Sequence, residues 1–186
     1  MCTVWPRLVA GLAAAGLLLS GCGSDSPEPK PLPKESKSSP SASPSPTAPV
    51  MPAAAQKKTK AGADALVRHF LSTMAYAGAT GDAKPFAATY THACTRCIAI
   101  AAGIEKTYRD GGSIKGGAWV PTGTEVHGIE NDIAFVDAVV NYERQTWVKN
   151  SSGTKATSPA KKSVLKTFQL VWQDGRWRVG ALDPEL

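Results

Sequence analysis

Hydrophobic and polar positions divide this 186-residue chain into three regions. Leu8 to Leu19 is an uninterrupted run of Leu, Val, Ala and Gly. From Gly23 to about Lys60 apolar periodicity vanishes: aromatics are absent, and Leu32, Val50 and Met51 are the only large aliphatics. From Ala61 periodicity returns, first at the helical repeat and then at a repeat of two. Leu66, Phe70, Met74 and Ala77, spaced four, four and three, predict an amphipathic helix from Ala61 to about Gly78. Asp64 suits its first turn, where the helix dipole favours negative charge. Thr80-Gly81-Asp82 reads as a turn, with Asp82 capping a short second helix to about Tyr90 and Pro85 in its first turn. Cys94, Cys97, Ala101, Ile104 and Tyr108 form one stripe of a third helix, His92 to Arg109, ended by Gly111-Gly112.

Strand character follows. Trp119 to Ile129 alternates, and Pro121 places it at an edge or a bulge. Asn131-Asp132 makes a turn, and Ile133 to Val148 is the longest strand signal. Lys149 to Lys161 reads as a mobile loop. Val164, Phe168, Leu170 and Trp172 share one face of the next strand, Val164 to Gln173. Asp174-Gly175 is a two-residue hairpin signal, and Arg176 to Leu182 closes it with Trp177, Val179 and Ala181 on one face. Three N-terminal helices followed by about four antiparallel strands is an α+β pattern.

The N-terminal region changes the picture most. Arg7 is its only charge, and Ser20 and Gly21 lead from the apolar run into Cys22. A charged start, a short apolar core and a small-residue site are the parts of a secretory signal; the run is too short to span a membrane, which takes about 20 apolar residues. Leu19-Ser20-Gly21-Cys22 resembles the lipobox of bacterial lipoproteins. The resemblance implies a signal peptide over residues 1–21, cleavage after Gly21 and a diacylglycerol on the Cys22 sulfur, with palmitate among its acyl chains. The chain would then sit on the outer face of the cell membrane, its domain extracytoplasmic, with no cofactor beyond that lipid. Cys2 lies in the removed segment and has no assigned role.

Residues 22–60 then read as a lipidated cysteine and a disordered linker, since nine prolines and few large apolar residues cannot offset chain entropy. Extended, the linker would reach on the order of 100 Å. Residues 61–186 read as the folded domain. Of the formal charge of +6, the linker carries +3 and the domain only +2. The basic excess therefore lies beside the anionic membrane surface. No basic stripe with interleaved aromatics is present, so nucleic acid is not the expected partner.

Cys94-Thr95-Arg96-Cys97 is the sharpest local feature. Residues three apart on a helix are within disulfide range, and an exported chain meets oxidising conditions, so a structural disulfide is expected. A thioredoxin-type redox centre calls for a preceding strand rather than a helix. Zinc calls for a second ligand pair, which His92 alone does not supply. Among catalytic candidates, His69, His92 and His127 are open to general-base roles but fit ordinary structural or surface ones. Asp137 shares parity with Ile133, Phe135 and Val139, which would suit a raised-pKa base in an apolar interior. Asn141 and Glu143 continue that face as polar, however, and Val136, Ala138, Val140 and Tyr142 make the better core face. Trp119, Trp147, Trp172 and Trp177 are candidates to line a ligand pocket, and equally to pack the core. Glycine-rich phosphate loops, nucleophile elbows and zinc-protease helices are absent from the sequence.

The helix beginning Ala-Asp-Ala-Leu-Val-Arg-His-Phe, the Thr80-Gly81-Asp82 turn and the hairpin from Val171 to Val179 resemble the nuclear-transport-factor-2-like, or cystatin-like, superfamily, which includes the SnoaL-like proteins. The lipobox, the Pro/Ser linker and the Cys94–Cys97 motif resemble a family of actinobacterial lipoproteins of unassigned function. The superfamily resemblance implies a curved antiparallel sheet wrapped on helices as a cone with an apolar cavity. Its members include isomerases, polyketide cyclases, ligand binders and interaction domains, so the fold leaves function open. The expectation is a non-enzymatic envelope module that binds an envelope protein partner or a small apolar ligand. The alternatives are a small isomerase or cyclase using Asp137 or a histidine as base, and a thiol–disulfide protein acting through Cys94–Cys97.

Overall fold

The computed structural model describes residues 46–183. The signal region and Cys22 lie outside the described residues, as does the linker up to position 45.

Helix α1, Lys60–Thr80, starts where the Thr59 hydroxyl accepts the Gly62 N–H at 3.1 Å, filling one of the four donors a helix start leaves unpaired. Its apolar face buries Leu66, Phe70, Met74 and Ala77 as the periodicity predicts, with Val67 and Leu71 widening the stripe. The second helix is only one turn, α2 at Lys84–Ala87. The Asp82 carboxylate accepts the Lys84 N–H at 3.1 Å, and Phe86 meets the Phe70 ring edge-on at 4.9 Å. The helix stops short of Tyr90 because the next residues pair with a strand. Thr89 O accepts the Val179 N–H, and the Thr91 N–H donates to Val179 O, both at 2.9 Å. The same pairing delays the third helix, so α3 spans Thr95–Arg109 rather than starting at His92. Cys97, Ala101 and Ile104 are buried along its stripe.

Among the described residues, seven strands follow. The main sheet has the order β2-β3-β6-β7, all antiparallel: β2 Trp119–Glu130, β3 Ile133–Tyr142, β6 Lys161–Gln173 and β7 Arg176–Leu182. Its two tight turns, Asn131-Asp132 and Asp174-Gly175, have positive φ at both central residues, the backbone of two-residue hairpins that match strand twist. The β2–β3 register slips just after Pro121 and again between Val126 and Gly128, which bends the sheet. Ala134, Val136, Ala138 and Val140 are buried on its inner face, with Phe168, Leu170, Trp177 and Val179 beside them. A slip near Gly180 changes the expected face of the last strand, so that Leu182 rather than Ala181 turns inward.

Ile133 to Val148 is not one strand. It breaks at Glu143-Arg144, and the remainder, β4 at Gln145–Val148, belongs to a second sheet ordered β1-β4-β5, with β1 at Ser113–Gly116 and β5 at Lys155–Ser158. The cause lies on the paired chain. Gly116 and Gly117 have φ of +67° and +84°, a backbone that L side chains avoid and extended strands do not use. The paired ribbon kinks there, while the Gly117 N–H still donates to Arg144 O at 3.2 Å and the Glu143 N–H to Ala118 O at 2.9 Å. The expected loop from Lys149 to Lys161 is shortened to a turn that closes with the Lys149 N–H donating to Thr154 O, after which β5 pairs with β4.

The packed domain also begins earlier than composition suggests. Ala53–Gln56 forms a 3-10 turn, Ala55 is fully buried and Met51 packs on the core. The Trp177 indole N–H donates to Lys57 O at 3.0 Å. The last part of the expected linker is therefore a strap across the domain.

Candidate functional site

The kink at Gly116-Gly117 leaves the small sheet facing α1 and α3 across a half-open cavity of about 850 Å³. That lies within the range of small-molecule sites, roughly 300–1,000 Å³. Alternation along β4 turns Gln145 and Trp147 to the cavity, and Lys149 and Asn150, just after the strand, also line it. Trp147 is in register with Ile114 of β1 and Ala156 of β5, both of which also line it. Met74 and Gly78 of α1 and Ile100, Gly103 and Ile104 of α3 form the opposite wall, and Trp119 stands at one end. There a second cavity of about 280 Å³ adjoins, sharing Gly117, Trp119 and Gln145 with the first. Trp119 packs on Tyr142 with ring centres 4.7 Å apart, and the Lys166 ammonium lies 5.5 Å from its ring centre.

Two glycines explain much of the space. A Cβ placed at Gly78 or Gly103 meets no atom within 4 Å. Glycine inside a helix destabilises it by about 0.5–1 kcal/mol relative to alanine, and no neighbour requires either one. The titratable lining groups of the larger cavity are Lys106, Asp110 and Lys149. Lys106 Nζ donates to Asp110 Oδ2 at 2.6 Å, and that hydrogen bond holds the Asp110 carboxyl below its usual range.

The four tryptophan candidates divide. Trp119 and Trp147 line the cavity. Trp177 is fully buried and meets Trp172 edge-on at 5.3 Å, away from the cavity. The histidine candidates do not meet there either. His69 is buried in α1, and burial lowers its pKa; His92 and His127 are exposed.

Asp137 lies on the outer face of β3, opposite the buried Val136 and Ala138. The Thr167 hydroxyl donates to its Oδ1 at 2.6 Å, and His127 Nε2 stands 2.9 Å from its Oδ2. The Thr167 bond and then His127 pull the Asp137 carboxyl below the usual carboxylate range, the reverse of what a base in an apolar interior requires. Because the folded value is the lower one, Asp137 stabilises the fold above the unfolded pKa, and that contribution is lost as pH falls through the folded value. Asp137→Asn is expected to reduce stability at pH 7 by less than about 1 kcal/mol, since the group is partly solvated. The gap from wild type should narrow in denaturant titrations as the pH falls below about 5. A gap that widens below about pH 5 would contradict this reading.

Cys94 and Cys97 form a disulfide with Cα atoms 5.3 Å apart, and both residues are buried. The pair opens α3, with Cys94 at the N-cap, rather than lying inside a helix. A preceding helix therefore gives no ground against redox chemistry. Burial does, since reactive cysteines occupy partly exposed sites.

Sequence reasoning missed Gln145, Lys149, Ile100 and the glycine wall. The usable signal was Gly103, a glycine inside a strong helical pattern with no turn to explain it.

This is an α+β domain with helices packed on a bent antiparallel sheet. The chain belongs to DUF6318, a family of unknown function, whose model matches residues 37–183. No curated protein matches the sequence. Among solved structures, the intermembrane-space region of the chloroplast protein ARC6 is similar with a TM-score of 0.50 and 11% identity, over 66% of this chain and 93% of that one. A nuclear-transport-factor-2-like protein with a cystatin-like fold from Novosphingobium aromaticivorans aligns with a TM-score of 0.37 and 16% identity, over 62% of this chain and 76% of that one. A cystatin-like protein of unknown function from Nostoc punctiforme aligns with a TM-score of 0.39 and 12% identity, over 70% and 98%. These are similarities of fold, not of activity.

Proposed function

We propose that this chain is an envelope lipoprotein, anchored through a lipid on Cys22, whose domain binds a small apolar molecule between α1, α3 and β4 without altering it chemically. The observation that carries the binding role is the 850 Å³ cavity with its tryptophan, isoleucine and glycine walls. The absence of chemistry is supported by the placement of Asp137 on the far face of the sheet and by the pairing of Asp110 with Lys106. The anchor is supported by Leu19-Ser20-Gly21-Cys22 at the end of an apolar run.

N-phenyl-1-naphthylamine, an uncharged fluorescent probe, is expected to saturate at one molecule per chain with enhanced emission. Ala156→Phe, which fills the cavity from β5, should weaken it on the order of tenfold. An unsaturable signal, or equal binding by the variant, would contradict a cavity site. The anchor is tested separately. Cys22→Ala is expected to abolish labelling with radioactive palmitate and to move the protein to the soluble fraction; retained labelling would contradict it.

A further inference from the structure

The cavity has a polar end. Lys106, Thr107, Asp110, Lys149 and Asn150 gather where the C-terminus of α3 meets the turn after β4, and the Ser151 N–H donates to Asp110 O at 3.2 Å. Lys106 and Asp110 satisfy each other. Lys106 and Arg109, in the last turn of α3, offset the negative end of its dipole. Lys149 makes no ion pair among the described residues, so the uncompensated charge on the cavity wall is a cation. Gln145 and Trp147 alternate along β4, about 7 Å apart, and Lys149 follows just past the strand's end, so this edge of the cavity offers an amide, an indole and an ammonium in sequence. Across from it, Gly78 and Gly103 leave bare helix backbone with open space in front.

We propose that the ligand is an anionic amphiphile, an apolar body ending in a carboxylate or similar anion. It lies along β4 with its head at Lys149 and its body between Trp147 and the bare backbone at Gly78 and Gly103. This rests on the cavity being a ligand site. The glycines then have a role that packing does not give them, since they admit the body against the helices.

The test titrates the full chain, carrying Cys22→Ala so that no acyl chain of its own competes, with two fluorescent carboxylic acids and their methyl esters. Cis-parinaric acid has a straight body and 1-pyrenebutyric acid a ring body; the one that binds more tightly identifies the source of the apolar part. The preferred acid is expected to bind two- to fivefold more tightly than its ester, the gain of an exposed charge pair at about 0.4–1 kcal/mol. Lys149→Ala should bring that ratio to about one. Gly103→Leu should weaken acid and ester alike, on the order of tenfold, while raising Tm by about 3 °C, since leucine is the better helix former and its Cβ meets no neighbour, leaving the rest of the side chain the cavity to enter. Equal binding of acid and ester by the wild type, a ratio unchanged in Lys149→Ala, or full binding by Gly103→Leu would each overturn the inference while leaving the cavity as a ligand site. If the wild type binds no probe, both readings fall together.

Discussion

Trp177→Ala is expected to destabilise the domain by about 3–5 kcal/mol, the usual cost of truncating a fully buried large aromatic side chain. For a domain of this size that lowers Tm by roughly 10–20 °C. Trp177 is fully buried at the junction of β7, the N-terminal strap and Trp172. Alanine leaves a cavity there and releases the strap from its indole N–H. Trp177→Phe separates the two effects. It keeps most of the ring and loses the bond to Lys57 O, a carbonyl still held by the Thr59 N–H at 2.8 Å. Only about 1 kcal/mol should be attributable to that bond. Calorimetry showing Trp177→Ala within 3 °C or so of wild type would contradict this packing.

Gly62→Ala is expected to be nearly as damaging, against its helix propensity. Alanine in the first turns of α1 would ordinarily gain up to about 1 kcal/mol. Here its Cβ would fall 2.1 Å from Lys57 O and 2.7 Å from Ala54 O. Both are backbone atoms of the strap and cannot rotate aside. Either α1 shifts or the strap lifts, exposing Ala55 and Met51 and stretching the Trp177 bond, at a net cost of about 2–4 kcal/mol. Limited proteolysis should then cut before Lys60 far faster than in wild type. An unchanged or raised Tm in Gly62→Ala would mean that the strap does not sit against α1. Gly62→Ala and Trp177→Ala share the Lys57 carbonyl, so their effects should sum to less than the two separately.

Helix α1, the buried face of β3 and both tight turns are legible in the sequence, because each rests on local chemistry: Leu66 and Phe70 at helical spacing, Val136 and Val140 at strand spacing, Asp174-Gly175 between two strands. What failed depends on distant partners. Thr89 and Thr91 leave the helical pattern because Val179 offers hydrogen bonds. The long strand breaks at Glu143 because glycines almost 30 positions earlier kink its neighbour. Composition alone assigns Ala53–Lys57 to the linker, since small and polar residues give no hydrophobic period, yet Ala55 and the Lys57 carbonyl are anchored by residues far along the chain. Among the site candidates, Trp119 and Trp147 could not be told from Trp172 and Trp177 by type. The second pair lies on β6 and β7 of the main sheet; Trp147 reaches the cavity because its strand belongs to the small sheet, and Trp119 because it stands at the start of β2, just after the Gly116-Gly117 kink.

The central claim is that the space between Gly103 and Trp147 belongs to a ligand. The most direct measurement is a crystal structure of the chain isolated from its native cells. The account predicts continuous density beyond the protein's own atoms, running along β4 against the bare backbone of α1 and α3. A cavity closed by Trp147 and Ile100 folding into it, with no other occupant, would contradict the claim and leave the domain as a surface for protein partners.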